Sequence, residues 1–430
     1  MVFICGCGTG SDPGYPGISS GHATDHPAEE KANDDNVSKE AHNSDKIRVH
    51  GIINTEGSIT VSKDDTGNAE GPLSENGLSE DVNGDDGIRL VMVGDILLHI
   101  PIDRNCMMDD GSYDYTHIFE NTKDDISSAD VALVNEEVII GGKELGVTGY
   151  PSFNAPFEIG DALADAGFDV ICHATNHALD RGKTGVVNCL DYWESEHPDI
   201  SVVGIYGSSK DRDNIYIYEK NRIKIAVLNY TYGTNGVKMP KGMDFAVNLL
   251  NEEVVADDLR RAEELADLTV VCPHWGTEYN LGISSEQKKW TEIFLENGAD
   301  LVLGTHPHVI EPIEWVEDEE TGNRMLVYYS LGNYVNWTAG HGPGTSNRMV
   351  GGLALVNIGR DDLGNVVIRD YGVEALVCHL TKEKGGITVY RLTDYDEELA
   401  RSNEIVNQDP DFSKQYCIDL CDNVWGKKWL

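Results

Sequence analysis

The chain has 430 residues, of which 40% are hydrophobic, and its 74 acidic and 33 basic residues give a formal net charge of −41 at pH 7. This length and apolar content suit one large folded domain with appendages. The negative charge disfavours nucleic acid and anionic membrane surfaces as partners, and no stretch approaches the roughly 20 apolar residues that cross a bilayer.

The N-terminal segment "MVFICGCGTGSD" is similar to the end of a lipoprotein signal, in which Cys7 would carry the lipid. The alternative is an unstructured start with two incidental cysteines. Residues 8–87 are rich in Gly, Ser, Asn, Asp and Glu, and "KIRVHGII" is their one short strand pattern. We predict that residues 1–87 form a lipoprotein-like start followed by a disordered acidic linker.

From Ile88 onward, short apolar runs typical of buried strands alternate with helical patterns. The strand patterns are "IRLVMVGD", "ADVALVNEE", "FDVICHATNH", "IKIAVLNYTYG", "LTVVCPHWG", "ADLVLGTHPH" and "MLVYYSLGN". The helical patterns are "APFEIGDALADAG", "KTGVVNCLDYWESE", "NEEVVADDLRRAEELA" and "SSEQKKWTEIFLENG", and the last two begin with the Asn and Ser that cap helices. This alternation predicts an α/β domain over residues 88–385, with helices covering the sheets.

From about Gly351 the pattern changes to strands without intervening helices, namely "GGLALVNIG", "NVVIRDYGVEALVCHL" and "GITVYRL". The chain then ends in helical patterns such as "DYDEELARSNEIV". We predict that residues 386–430 form a helical extension packed on the outside of the domain.

Several predicted strands end in polar side chains able to bind a divalent metal. Ligands in α/β folds gather beyond the carboxyl ends of the strands, and carboxylates and imidazoles converging there can hold two ions that share a carboxylate. A single strand-end histidine is more often a hydrogen-bonded core or surface residue, so the hypothesis depends on the joint pattern. The candidates are Asp95, His99, Glu136, Glu137, Asn176, His177, His274, Glu278, His306 and His308.

"GTHPHVI" is the most specific of these motifs. In an extended chain residues i and i+2 point the same way, so His306 and His308 can reach one site while Pro307 restricts the backbone. In "TNHALDRG", Asn176 can bind metal and His177 can donate a proton or orient substrate.

Several residues around these motifs could have either of two roles. Asp180 can hold the His177 imidazole or cap a helix, and Trp275 and Tyr279 in "HWGTEY" can wall a substrate cleft, together with Glu278, or only pack. We interpret "YSLGNYV" as a tight turn around Asn333 that shapes the cleft.

Taken in order, "VGDILLH", "VNEEV", "ATNHALDRG", "PHWGTEY", "GTHPHVIEP" and "YSLGNYV" strongly resemble the bacterial capsule synthesis proteins of the CapA type, which are associated with poly-γ-glutamate. The resemblance covers about residues 88–430. The family is similar to the calcineurin-like metallophosphoesterases, which implies a four-layer α-β-β-α sandwich.

The resemblance also implies roles for the candidate residues around two divalent ions, which could be Mn, Zn, Fe or Mg. Asp95 and His308 would serve one ion, Glu137 would bridge, and His177 would be the acid or substrate-orienting residue. The ligands of the second ion would be Asn176, His274 and His306.

The chain departs from the phosphoesterase pattern at two positions. Leu97 replaces the histidine of Asp-x-His, so that His99 or a water would have to complete the first ion's shell, with Glu136 as a further candidate. Ala178 replaces the acid that normally follows the histidine of the Asn-His motif. Both departures count against phosphatase activity more than against metal binding.

Two functions follow from the resemblance. The first is a metal-dependent hydrolase or transferase on the extracellular face of the cell membrane that acts on a phosphoester or on an envelope polymer such as poly-γ-glutamate. The second is a non-catalytic component that holds metal and polymer while membrane-bound capsule synthesis proteins make the chain.

Overall fold

The computed structural model of the protein describes residues 47–50 and 86–429. Cys7 and most of the predicted acidic linker lie outside these residues. The short strand indicated by "KIRVHGII" is present as Ile47–His50, which pairs with a strand of the main domain.

The described strands form two mixed sheets. The first sheet has the order β1-β10-β11-β9-β8-β7-β6, and the second has the order β15-β14-β13-β2-β3-β4-β5 with β12 paired to β2. The strands are β1 Ile47–His50, β2 Ile88–Leu97, β3 Val131–Glu136, β4 Val170–Cys172, β5 Ser201–Val203, β6 Tyr216–Lys220, β7 Ile223–Thr231, β8 Leu268–His274, β9 Leu301–Leu303, β10 Ile313–Asp318, β11 Arg324–Tyr328, β12 Asn333–Asn336, β13 Val350–Arg360, β14 Val366–His379 and β15 Thr388–Arg391.

The helices lie in the connections and at the C-terminal end. The α-helices are α1 Ile100–Cys106, α2 Thr116–Phe119, α3 Lys123–Ser127, α4 Glu158–Ala166, α5 Gly182–Glu196, α6 Ser209–Arg212, α7 Glu252–Leu265, α8 Ser285–Glu296, α9 Glu397–Ser402 and α10 Lys414–Val424. Short 3₁₀ helices span Lys143–Leu145, Thr345–Met349, Glu404–Asn407 and Lys427–Trp429. No helix within the described residues has the length and apolarity needed to cross a membrane.

The two sheets pack face to face, with helices on both outer sides. Across the interface Cys272 Sγ lies 3.8 Å from Met92 Sδ, and the Tyr328 hydroxyl donates to the Gly372 carbonyl at 2.8 Å. Helices α7 and α8 cover the first sheet, and α4 and α5 belong to the buried cluster of the second. This order of layers confirms the predicted four-layer α-β-β-α sandwich.

Local sequence signals fix where the two long outer helices begin. The Asn251 side chain accepts a hydrogen bond from Val254 N at the start of α7. Ser284 and Gln287 form a capping box at the start of α8. These bonds satisfy backbone donors that have no partner inside the helix, and they confirm the predicted starts.

One prediction about the later strands is wrong, and another is confirmed. Asn333, assigned to a tight turn, instead begins β12, which runs parallel to β2 and continues its sheet past the end of β13. The strand predicted at "GITVYRL" is present as β15, Thr388–Arg391, which pairs with the end of β14; the division of the chain at residue 386 stays a prediction. Helices follow only from Glu397 onward.

The parallel parts of both sheets determine where polar side chains meet. Strands β2, β3 and β4 run parallel in the second sheet, and β7, β8 and β9 do so in the first. The carboxyl ends of parallel strands share one edge of their sheet. Residues that follow these strands therefore gather at one end of the sandwich.

Candidate metal site

Six of the predicted ligands converge at this end of the sandwich, and each is at most 7% exposed. The second sheet supplies three of them from the ends of β2, β3 and β4, and the first sheet supplies three from the ends of β8 and β9. They are Asp95, Glu137, Asn176, His274, His306 and His308.

Within these six residues, the acids and histidines form two groups that share Glu137. One group is Glu137, His274 and His306, and the other is Asp95, Glu137 and His308, with the ligand atoms of each group within 4.8 Å of one another. Asn176 adjoins the first group, because its Oδ1 lies 2.9 Å from His274 Nε2. The resemblance implied the same division, and metal binding by these residues stays a prediction.

The Glu137 carboxylate has the environment expected of a metal ligand. Neither of its oxygens has a hydrogen-bond partner, although the side chain is fully buried. Its Oε1 lies 3.7 Å from His308 Nε2 and 3.8 Å from His274 Nε2, which are ligand-to-ligand rather than hydrogen-bond separations. Burial raises the pKa of Glu137 well above its usual value, and a bound cation would reverse this because it favours the charged form.

The imidazoles of the Glu137-His274-His306 group are suited to donate lone pairs. Burial and neighbouring histidines lower the pKa values of His274 and His306 well below 6.5, so both are neutral. His306 Nδ1 is buried without a partner. At His308, burial lowers the pKa but the charges of Glu137 and Asp95 outweigh it and raise the pKa to about 9. The neutral His274 and His306 imidazoles and the Glu137 carboxylate have the chemistry of ligands for a divalent cation.

Hydrogen bonds from neighbouring residues orient several ligands. Asn135 Nδ2 donates to Asp95 Oδ1 at 2.9 Å. Thr305 Oγ1 lies 3.0 Å from His274 Nδ1, and Asn333 Oδ1 lies 3.0 Å from His308 Nδ1. The opposite nitrogens of both rings are thereby directed at Glu137, as is usual for metal-binding histidines.

The two histidines of "GTHPHVI" reach the site through a backbone that the sequence did not predict. His306 and His308 have φ values of 97° and 58°, so the extended-chain argument for their common direction is wrong. Non-glycine residues with positive φ are strained by about 1–3 kcal/mol each. The turn also directs the His306 N–H toward the Asp95 carboxylate, with N···O distances of 3.2 and 3.3 Å.

His177 stands beside the two groups with its ring held in place. Its Nδ1 lies 2.7 Å from Asp180 Oδ2, and its Nε2 lies 4.0 Å from Glu137 Oε1. Phe153 packs edge-on at 4.6 Å between ring centroids. Asp180 also accepts a hydrogen bond from Phe153 N at 2.6 Å. The imidazole therefore presents one nitrogen to the site and is anchored by the other.

The two additional ligand candidates do not join either group. Glu136 is buried, with Oε1 accepting from Val138 N at 3.2 Å, and successive residues of a strand point to opposite faces. His99 packs against Phe153 at 5.3 Å, and burial together with the nearby His308 lowers its pKa to about 4.

The predicted cleft residues fall into two classes. Trp275 is fully buried, donates to the Tyr329 carbonyl at 2.9 Å and packs under α8, so its assignment to the cleft is wrong. Glu278 and Tyr279 are exposed beside the site, and the Tyr279 ring lies 5.9 Å from His308. Asn333 is buried and positions His308 rather than lining an open surface.

Sequence reasoning missed four residues that surround the site. Asn135 and Thr305 immediately precede assigned motif residues at strand ends, so the strand-end criterion could have included them. Tyr232, whose ring lies 4.6 Å from His306, follows β7 in the same way. Arg348 lies in the 3₁₀ helix Thr345–Met349 after β12 and has no such signal.

Comparisons with known proteins agree with this arrangement of motifs. The profile of the bacterial capsule synthesis protein family PGA_cap matches residues 89–338. The PGA biosynthesis protein CapA of Bacillus subtilis strain 168 is 32% identical over 179 residues, which are 41% of this chain and 45% of that protein. The capsule biosynthesis protein CapA of Bacillus anthracis is 30% identical over 185 residues, which are 41% of this chain and 43% of that protein.

The chain thus spans less than half the length of these two curated relatives. Similar solved structures include a putative 5'-nucleotidase from Staphylococcus aureus, with 12% identity, a TM-score of 0.42 and coverage of 78% of this chain and 59% of that one. The NAD nucleotidase of Haemophilus influenzae has 12% identity, a TM-score of 0.42 and coverage of 77% and 66%. Because the family profile matches more than half of the sequence, this chain belongs to the bacterial capsule synthesis protein family PGA_cap.

Proposed function

We propose that this protein is a metal-dependent hydrolase that acts on an envelope polymer or a phosphoester during capsule biosynthesis. The observation that carries the proposal is the pair of buried carboxylate and imidazole groups that share Glu137, whose oxygens have no other partner. Such a carboxylate is costly to bury unless cations neutralise it.

The residues divide between two cations. Asp95, His308 and Glu137 would hold the first, and the second would be held by Glu137, His274, His306 and Asn176. Two divalent cations supply an activated water and stabilise negative charge in the transition state.

The proton for the leaving group comes from His177. The Asp180 carboxylate fixes its Nδ1 at 2.7 Å, and Nε2 faces the shared carboxylate. Phe153 against the ring restricts its rotation and limits water on that side. An oriented imidazole is a suitable general acid near neutral pH.

The substrate binds at the rim formed by Glu278, Tyr279 and Tyr232. A chain with net charge −41 repels a polyanion such as poly-γ-glutamate, so bound cations must bridge the two. A lipid anchor at Cys7 would hold the site on the extracellular face, beside membrane-bound capsule synthesis proteins.

One experiment tests the metal and the chemistry together. Purified protein is analysed for bound metal and assayed on a phosphodiester and on poly-γ-glutamate, with His306→Ala and His177→Ala as variants. The half-buried His197, which pairs with Asp161 away from the site, supplies the matched control His197→Ala. We expect His306→Ala to lose metal and turnover, and His177→Ala to keep metal but lose about 10²–10⁴-fold in rate. Wild type without bound metal would refute the mechanism.

A second candidate function has its own observation. Among the acids, histidines and cysteines of the described residues, the group of Asp95, Glu137 and His308 has three candidate ligands. Leu97 is apolar and buried, and His99 lies outside both groups. A non-catalytic component would need the site only to hold metal and polymer. Metal and polymer binding without turnover would support this function instead.

A further inference from the structure

Arg348 is a half-buried cation in an acidic protein, and no carboxylate among the described residues pairs with it. Its Nη1 donates to Thr338 Oγ1 at 2.6 Å, while its Nε is buried without any partner. By contrast, the half-buried Arg212 makes a two-point ion pair with Asp258 at 2.6 and 3.1 Å. An arginine whose donors are left open in this way is prepared for an anion that is not part of the chain.

The guanidinium of Arg348 is held rigidly. Its central carbon lies 3.5 Å from the centroid of the Tyr279 ring, which is a close cation–π contact. A Cβ at position 340 would lie 2.9 Å from Arg348 Nη1, so Gly340 leaves the space that the guanidinium occupies. Stacking of this kind covers a face of the guanidinium and leaves its edges for hydrogen bonds, of which Nη1 makes one to Thr338.

Two connections place Arg348 beside the metal ligands. Tyr279, the stacking partner, donates its backbone N–H to the Pro307 carbonyl at 2.7 Å, between His306 and His308. Asn333 Nδ2 donates to the backbone carbonyls of both His308 and Arg348, at 3.0 and 2.9 Å. The same two residues therefore position the ligand turn and the guanidinium.

We propose that Arg348 binds a forked oxyanion of the substrate, a carboxylate or a phosphate, at the rim of the metal site. A planar guanidinium recognises both groups through two parallel hydrogen bonds. The rim residues named above, Glu278, Tyr279 and Tyr232, carry no positive charge, so this cation favours an anionic substrate. The role of the anion in positioning a scissile bond rests on the hydrolase function proposed above.

The test measures anion binding by calorimetry, with inorganic phosphate and glutarate as probes. The full chain is titrated with Mn²⁺ present and again after EDTA treatment, as wild type and as Arg348→Met and Arg348→Lys. Arg324, which stacks on Trp315 at 3.9 Å in the β10–β11 hairpin, supplies the matched control Arg324→Met.

We expect wild type to bind at least one probe, and Arg348→Met to bind it about tenfold more weakly or worse. Arg348→Lys should lie between them, because a lysine keeps the charge without the fork, and Arg324→Met should match wild type. A preference for phosphate would indicate a phosphoester substrate, and a preference for glutarate a γ-glutamyl polymer. If wild type binds neither probe, or the Arg348 variants match it, the inference is wrong.

Three further outcomes can be interpreted without ambiguity. If Arg348→Met does not fold, as judged by its thermal melt, Arg348→Lys against wild type decides alone. If the purified protein binds no metal but still binds the anion through Arg348, the hydrolase proposal is contradicted and this inference is supported. If the protein has metal-dependent turnover that does not change when Arg348 is replaced, the hydrolase proposal is supported and this inference is contradicted.

Discussion

Replacing Glu137 by Gln should change the stability of the protein in opposite directions with and without metal. In metal-free protein at pH 8, the buried carboxylate has no hydrogen-bond partner for either oxygen, and an unsatisfied buried polar group costs about 1–3 kcal/mol. Burial raises the pKa of Glu137, so this cost grows as pH rises above the unfolded value near 4.3. A Gln amide leaves two polar atoms equally unpaired but cannot ionise, so Glu137→Gln should remove the pH-dependent part of this cost and stabilise the metal-free chain at pH 8 by about 1–3 kcal/mol.

In the presence of metal, wild type should be more stable than Glu137→Gln. A ligand at 100 times its dissociation constant stabilises the folded state by about 2.7 kcal/mol per site, and Glu137 is the ligand common to both groups. The Gln side chain lacks the charge that the cations require, so the variant should lose most of this gain. Urea unfolding, followed by tryptophan fluorescence in EDTA and in Mn²⁺, measures both effects.

The neighbouring Glu136 provides the control. It is equally buried and its pKa is also raised by burial, but it belongs to neither metal group. Glu136→Gln should keep the full metal-induced gain in stability. If metal stabilises Glu137→Gln as much as wild type, or if Glu136→Gln loses the gain as well, the assignment of Glu137 as the shared ligand is refuted.

Two further changes test other parts of the fold. Burial raises the pKa of Asp103 to about 7, so the folded state holds an extra proton between about pH 4 and pH 7 and stability falls with rising pH across that window. Asp103→Asn should then match wild type in urea unfolding at pH 4 and exceed it by up to roughly 4 kcal/mol at pH 8, and equal stability at both pH values would contradict the shift. A Cβ at Gly94 would lie 1.9 Å from the Gly332 carbonyl oxygen, so Gly94→Ala should cost about 3 kcal/mol or more and weaken metal binding at the adjacent Asp95. Gly233→Ala, where a Cβ meets nothing within 4 Å, should be nearly neutral.

The parts of the fold that local signals determine could be predicted from the sequence. The apolar runs of β2, β3, β7 and β8 and the caps of α7 and α8 are local patterns, and each was recognised. The polar residues at strand ends could also be expected to converge, because parallel strands bring their carboxyl ends together.

Residues whose role depends on distant pairing could not be predicted. Asn333 begins a strand only because β2 leaves room for it beyond β13, and nothing near Asn333 in sequence encodes that partner. The sequence gives no reason to assign Arg348 to the site, because its place there depends on stacking against Tyr279, which is distant in sequence. The burial of Trp275, by contrast, could have been predicted from the sequence. Side chains alternate between the two faces of a strand, so the residue after His274 points away from the site that His274 faces.

The division of the ligands between the two sheets has a consequence for the kinetics of folding and unfolding. The hydrogen bond from His306 N to Asp95 joins positions 211 residues apart, and each group of ligands combines residues of both sheets. Neither group can form before the sheets have docked, so contacts with bound metal belong to a late step of folding. Interactions that form after the transition state slow unfolding rather than speed folding. Bound cations would therefore lower the rate at which the two sheets separate. In such a protein the lifetime of the folded chain would depend on the supply of metal.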